Sequence, residues 1–337
     1  VSLAIIDKYD DINLQKWDQF IKTHKEGNFF QTSSAYQFFR KVENYDPYIV
    51  LVESEGSYQG CLLAVVIREQ SIKGYFSSRA IITGGPIVNK GEIGTFKLLL
   101  NRMNSLLKGK AIFIEIRNLF EIETDKSKVL ENEGFKFLPY QNFLVPLKKL
   151  KNADLTISNS KKRQIRNSLR NGARITEVET VDEIVKFYKI LYDLYKGRVK
   201  KPLPAFGFFK TFFESPELGK IFLIKSDDEV LGGIVCPIFD NRIIYEWYIA
   251  GRSDGTPGIY PGVLATWAPI EYGMENGFEV FDFMGAGRSD KDYGVREFKS
   301  KFGVETVEFG RYRRINNHFM WAIANAGLKT LSFLRKL

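Results

Sequence analysis

Residues 48–69, YIVLVESEGSYQGCLLAVVIRE, set two runs of aliphatic, β-branched and aromatic positions around a polar, glycine-containing turn, which predicts two strands joined as a hairpin. Residues 220–241, KIFLIKSDDEVLGGIVCPIFDN, repeat the pattern. After each hairpin comes a long stretch with helical spacing of its apolar residues, GEIGTFKLLLNRMNSLL in the first half and PGVLATWAPIEYGMENG in the second. A short apolar strand follows in both, AIFIEIR at 111–117 and FEVFDFM at 278–284. Each half then closes with a polar, helix-capable stretch and one more strand, EGFKFLPYQNFLVPL and KFGVETVEFGRY. The same elements in the same order predict a tandem duplication of one α/β (mixed α+β) fold, each copy a mixed, mostly antiparallel sheet flanked by helices. The expected domains are 1–150 and 151–337.

The segment between the halves changes the picture from fold to partner. Residues 148–174 carry nine basic side chains (Lys148, Lys149, Lys151, Lys161, Lys162, Arg163, Arg166, Arg170, Arg174) against one acid, Asp154. Ser160 as an N-cap and Gly172 as a stop predict a connector helix over 160–172. Ile165 and Leu169 offer it a narrow apolar stripe, while Lys162, Arg166 and Arg170 line another face at the same spacing. Such a face is either a solvated connector or a phosphate-binding surface. The 337-residue chain as a whole has a net charge of +9, which points to nucleic acid, a phosphate-bearing ligand or a membrane surface.

Composition narrows the chemistry. With 44% hydrophobic and 26% charged residues the chain can bury real cores, and disorder is excluded. Two cysteines, Cys61 and Cys236, make no disulfide framework and suit a reducing cytoplasm. His24 and His318 lie near opposite ends without an H-x-x-x-H or C-x-x-C companion, so no metal centre is expected and a Ser-His-Asp or Cys-His hydrolase would have to recruit one of these two imidazoles. The N-terminus meets Asp7 before an apolar core could form, and no apolar run reaches the roughly 18 residues of a membrane span. Neither a signal peptide nor a spanning helix is therefore expected.

Nucleotide motifs fail: there is no G-x-x-x-x-G-K-[ST], and after Gly285 and Gly287 an Asp290 stands where a dinucleotide loop needs its third glycine. The densest cluster of reactive types is residues 278–303. Asp282 leaves the strand end, and Arg288, Asp290, Asp292, Tyr293, Arg296, Lys299 and Lys301 follow closely. Loops at the carboxyl ends of strands are where ligands gather, yet Asp290 or Asp292 could equally cap a helix with a solvated basic face. Phe298 and Phe302, four apart, are expected to anchor that helix and fix the direction of Lys299. Upstream, Gly258, Pro261 and Gly262 start a helix whose free N–H groups would suit phosphate or an acyl carbonyl, or merely initiate it. Gly232 and Gly233 within a strand mark a bulge, a close approach by a ligand, or packing against a helix.

These residues resemble a known family. Gly258-Ile259-Tyr260-Pro261, Ala265-Thr266-Trp267, Phe281-Asp282-Phe283-Met284-Gly285 and Phe298-Lys299-Ser300-Lys301-Phe302-Gly303 are similar to the FemABX peptidyltransferases. Phe30-Gln31-Thr32-Ser33, Gly84-Gly85-Pro86, Ile114-Glu115-Ile116-Arg117-Asn118 and Lys161-Lys162-Arg163-Gln164-Ile165-Arg166 agree, so the similarity spans residues 29–310. D-F-x-G followed by F-K-x-x-F-G is its most specific part. The resemblance implies two tandem GNAT-like domains and transfer of an amino acid from aminoacyl-tRNA to an amine of a peptidoglycan precursor, without metal or redox cofactor. It implies that Lys299 stabilises the oxyanion, and that Arg40, Lys41 and Arg198 contact a precursor diphosphate in the first domain and at the domain interface. The acyl-CoA pyrophosphate signature [QR]-x-x-G-x-[GA] is missing from SDGTPGIYPG.

The expected activity is therefore a cytoplasmic aminoacyltransferase acting at the inner face of the membrane on a UDP-linked or lipid-linked muropeptide. Asp282 or Asp292 would orient or deprotonate the amine, Tyr260, Arg288, Tyr293 and Lys301 would line the substrate, and Lys162, Arg163, Arg166 and Arg170 would hold tRNA phosphates. The alternatives are an acyl-CoA-dependent N- or O-acyltransferase of envelope polysaccharide or lipid, and a non-catalytic tRNA or membrane-surface binding protein. For the last, the tail with Phe319, Trp321, Leu328, Leu331 and Phe333 beside Lys329, Arg335 and Lys336 is either an interfacial or a docking helix.

Overall fold

The chain opens with β1 (Ala4–Ile6), α1 (Leu14–Thr23) and α2 (Ser33–Lys41). Asn13 caps α1 by accepting from the Lys16 N–H, and Thr32 caps α2 by accepting from the Ala35 N–H. The hairpin read at 48–69 is β2 (Tyr45–Ser54) and β3 (Ser57–Ile67), followed by β4 (Arg79–Thr83), β5 (Ile87–Val88), α3 (Ile93–Leu107), β6 (Phe113–Arg117), α4 (Thr124–Asn132) and β7 (Lys136–Leu138). This computed structural model describes residues 3–69, 78–152, 156–199, 202–252, 257–290 and 294–323. α3 buries Phe96, Leu99, Leu100, Met103 and Leu107 against Val50, Val52, Leu62, Ala64, Ile114 and Ile116, which makes one core of the first copy.

The second copy is built from β8 (Asn142–Pro146), α5 (Leu147–Lys151), α6 (Asn159–Arg170), β9 (Ala173–Glu177), α7 (Val181–Leu194), α8 (Phe206–Phe213), β10 (Gly219–Ser226), β11 (Glu229–Phe239), β12 (Ile243–Tyr245), β13 (Tyr248–Gly251), α9 (Pro261–Glu275), β14 (Val280–Asp282), α10 (Gly294–Ser300) and β15 (Glu305–Val307). A last strand, β16 (Arg311–Ile315), then returns to the first sheet. The sheet orders are β1-β2-β3-β4-β6-β16-β7, with β5 on β3, and β15-β8-β14-β12-β11-β10-β9, with β13 on β11. Both are mixed, and most pairs are antiparallel; β4 with β6 and β12 with β14 run parallel.

Two compact units result, Val1–Pro139 with Phe309–Leu337, and Tyr140–Glu308. The expected cut at 150 therefore falls elsewhere in the structure. β8 pairs with β14 and β15, burying Phe143 and Val145 in the second core, while β16 pairs with β6 and β7 and buries Tyr312 in the first. Neighbours in sequence usually pair with each other, so strand exchange between the copies leaves no local trace.

In the second unit α9 lays Leu264, Ala265 and Ala268 on Ile234, Cys236, Ile244 and Phe281. Aromatic side chains of α8, Phe208 and Phe212, pack edge-on to Trp247. Gly233 is explained by packing: a β-carbon there would meet the Phe222 carbonyl at 2.6 Å and Phe187 of α7 at 3.1 Å. Residues 318–323 are helical, and Trp321 sits edge-on to Phe113 at 5.1 Å. The tail positions Leu328, Lys329, Leu331, Phe333, Arg335 and Lys336 lie outside the described residues. Among the described residues no helix is long and apolar enough to cross a membrane.

Candidate active site

β12 pairs antiparallel with β11 on one edge and parallel with β14 on the other, up to the pair Tyr245 and Asp282. The last bond of the parallel pair is the Glu246 N–H donating to the Asp282 carbonyl at 2.8 Å. Beyond it β13 follows β11, whereas Phe283 donates to the Phe143 carbonyl at 3.0 Å and the chain turns away. The strands part there, leaving a vertex. The turn needs positive φ at Met284 (55°), Gly285 (132°) and Gly287 (85°), which explains the glycines of the D-F-x-G stretch.

Three charged side chains are buried at the vertex: Glu246, 7% exposed, Asp282, 3%, and Lys299, 8%. Fully buried Phe302 and partly buried Phe298 seat α10 in the core and direct Lys299 inward. The Lys299 ammonium donates to the Phe283 and Gly285 carbonyls, each at 3.0 Å, and to Glu246 Oε1 at 2.7 Å. Those three acceptors occupy all the N–H groups an ammonium has. Asp282 Oδ1 accepts from Asn142 Nδ2 at 2.7 Å and from the Met284 N–H at 2.6 Å, while Asn142 Oδ1 accepts from the Gly285 N–H at 2.6 Å. Burial pushes the Asp282 carboxyl up to about 6, against the pull of the Asn142 and Met284 bonds and the Lys299 charge and with a further push from Glu246. That places it near the working range of a general base.

Glu246 was not anticipated. Its signal in the sequence is a lone charge in the otherwise uncharged run Ile243–Ala250, and a buried charge in a strand needs a partner. Lys299 is that partner for Oε1, but Oε2 is shielded from solvent and has no hydrogen-bond partner among the described residues.

The first unit has the same vertex with different contents. There the Gly84 N–H donates to the Arg117 carbonyl at 2.9 Å, at the end of the parallel pair β4 and β6. Asn28 Nδ2 donates to the Gly84 carbonyl at 2.7 Å and Gln31 Nε2 to the Thr83 carbonyl at 2.8 Å, so neutral carboxamides fill the opening. A β-carbon on Gly84 would meet Asn28 at 2.5 Å. The nearby charge is buried Glu115, held by Arg117 (2.9 Å), Arg311 (3.1 Å) and Arg313 (3.0 Å). Burial would raise the Glu115 carboxyl, but the three guanidinium groups overcome it and hold it at about 2.

The remaining expected site residues divide. Lys162, Arg163, Arg166 and Arg170 are exposed on α6 and form no ion pair among the described residues. The helix starts two residues earlier than expected, capped by Ser158 in place of Ser160, and its buried stripe is Lys161, Ile165 and Ser168; Leu169 is 43% exposed because it lies off that face. Lys161 places its ammonium over the Phe298 ring at 4.1 Å. Ser168 Oγ accepts from the Tyr260 N–H at 2.9 Å, tying α6 to the entry of α9, where Tyr260 stays exposed and Pro261 is the first helical residue. Arg288 is engaged by Asp290 at 2.8 and 2.6 Å and Lys301 by Glu297 at 2.8 Å, both as surface pairs. Asp292 and Tyr293 lie outside the described residues. Arg40, over the Tyr9 ring at 5.1 Å, and exposed Lys41 end α2 of the first unit. Arg198 belongs to the second unit, where it lines an open groove of about 1180 Å³ with Lys189, Asp193, Gly251 and Arg252. β13 leads from the vertex to that groove. His24 bridges loops, its Nδ1 accepting from the Glu26 N–H and its Nε2 therefore donating to the Val88 carbonyl.

Residues 159–300 match the family described as Acetyltransferase (GNAT) domain. A comparison with curated protein sequences gives no match. Among solved structures, FemX superposes with a TM-score of 0.71 at 16% identity, covering 95% of this chain and 99% of its own. A tandem GNAT protein from the clavulanic acid biosynthesis pathway superposes with 0.61 at 12% identity over 94% of this chain and 99% of its own. L-PGS from Bacillus licheniformis gives 0.55 at 14% identity over 86% and 91%. At such identities the likeness is one of fold. Residues 159–300 are thus similar to the acetyltransferase (GNAT) domain, and the chain as a whole shares the fold of FemX and of the tandem GNAT protein.

Proposed function

We propose that the second unit moves an aminoacyl group from aminoacyl-tRNA to an amine of a UDP-linked or lipid-linked muropeptide, in the cytoplasm at the inner face of the membrane. The observation that carries this reading is the buried trio Asp282, Lys299 and Glu246 at the vertex of β12 and β14. The acceptor amine attacks the ester carbonyl, Asp282 takes its proton, and the C–O bond to the ribose breaks with the proton delivered to the leaving hydroxyl. Lys299 supplies the positive charge for the oxyanion by giving up one of its carbonyl acceptors, an effect worth roughly 100- to 1000-fold in comparable sites. The edge of β13 away from β11, on which no strand pairs among the described residues, offers backbone groups to an extended chain running toward the Arg198 groove, and the exposed cations of α6 receive RNA phosphates. The test is transfer of a labelled amino acid from charged tRNA to muropeptide, with Lys299→Ala and Asp282→Asn beside the wild type. Undiminished turnover in Lys299→Ala removes its role, and no transfer by the wild type removes the reading.

A second reading, acyl transfer from acyl-CoA, is supported by the match of residues 159–300 to the acetyltransferase domain. Binding of CoA without binding of charged tRNA would select it.

A further inference from the structure

Glu246 is the one member of the buried trio that the proposed chemistry leaves unused. Glu246 lies where β12 and β14 part, since its own N–H makes the last bond between those strands. Oε1 is committed to Lys299 at 2.7 Å, whereas Oε2 is buried and without a hydrogen-bond partner among the described residues. The cross-strand neighbour on β11 is the buried thiol of Cys236, pushed up by burial and then by the Glu246 charge, so it offers no cation. A buried carboxylate oxygen left unmatched is costly, and such an atom in a native protein calls for a partner such as a water, an ion or a ligand group. The trio also holds two carboxyl groups against one ammonium. A ligand that brings one more positive charge balances it, and a neutral acyl group does not.

We propose that Glu246 Oε2 binds the α-ammonium of the incoming aminoacyl group and so selects aminoacyl donors over plain acyl donors. Glu246 then bridges two cations, Lys299 on Oε1 and the donor on Oε2, as Glu115 bridges several guanidinium groups in the first unit. Asp282, whose Oδ1 is held by Asn142 and Met284, keeps the separate task of taking the acceptor's proton. The inference rests on the vertex being the acyl-transfer site, and it specifies the class of acyl group handled there.

The test is calorimetric binding of non-hydrolysable 3′-L-alanylamido-3′-deoxyadenosine, its Nα-acetyl derivative and the matching lactyl amide, in which a hydroxyl replaces the ammonium. Wild-type protein is expected to prefer the free ammonium form by about 10- to 100-fold over both others. Glu246→Gln is expected to bring the three affinities to within about twofold of one another. Equal wild-type affinities, or a preference retained in Glu246→Gln, overturn the proposal. The wild-type comparison decides alone if the variant does not fold. Discrimination by the wild type without transfer from charged tRNA upholds the ammonium site and removes the transferase reading; transfer without discrimination does the reverse.

Discussion

Lys299 is held by two backbone carbonyls and a carboxylate, so its loss affects folding and chemistry together. Lys299→Met strands a buried Glu246 and frees the 283–285 turn; the expected destabilisation is about 3–5 kcal/mol, read from urea unfolding, because an unpaired buried charge costs more than the pair is worth. Lys299→Arg should keep part of the stability and little of the transfer rate. Asp282 makes a different prediction. With its carboxyl raised to about 6, the transfer rate should climb through pH 6 as the base loses its proton and then level off, and Asp282→Asn should abolish this acid limb. Because the folded value lies above the unfolded one, the protonated carboxyl favours folding, and stability from this group is lost as pH rises from about 4 through 6. Glu115 has the opposite sign. Its folded carboxyl sits at about 2, so the arginine cluster stabilises the first unit above the ordinary carboxylate range and the gain disappears as pH falls toward 2. Glu115→Gln should cost about 3 kcal/mol at pH 7 and nearly nothing near pH 2, measured by denaturant melts.

At the scale of elements, α6 separates its two faces cleanly. Lys161, Ile165 and Ser168 bind the helix to its unit, and Lys162, Arg163, Arg166 and Arg170 project outward. Replacing those four with Gln should leave the melting temperature nearly unchanged, since exposed positions rarely matter by more than about 0.5 kcal/mol each. The same change should make the log–log salt dependence of tRNA binding shallower by about 3, which filter binding over a salt series measures. An unaltered slope would assign α6 to the solvated-connector role. The helix was legible because its charge run and its cap lie within a few residues of each other. Its apolar stripe was misplaced toward Leu169 because only packing against α9 and Phe298 decides which face turns inward.

For the whole molecule the consequential feature is the exchange of strands, β8 into the second sheet and β16 back into the first. A chain ended at residue 308 lacks β16, so Glu115 keeps Arg117 and loses Arg311 and Arg313, and β6 and β7 lose the strand between them. Such a chain should unfold without a cooperative transition for its first unit and bind a hydrophobic dye, while the full chain does neither. Independent expression of residues 1–150 should fail for the same reason. The duplication itself was readable, as were Asp282, Lys299 and the turn between them, because strand alternation, helix spacing and glycine placement are set by neighbours along the chain. Glu246 was passed over because a single acid in an apolar strand gains its meaning from Lys299, which is remote in sequence. The sequence alone thus determined the elements, their order, a basic helix, and a glycine-bounded loop dense in reactive residue types. Tertiary structure alone decided which sheet each boundary strand joins and which of two equivalent vertices carries charge, because both depend on contacts between residues remote in sequence.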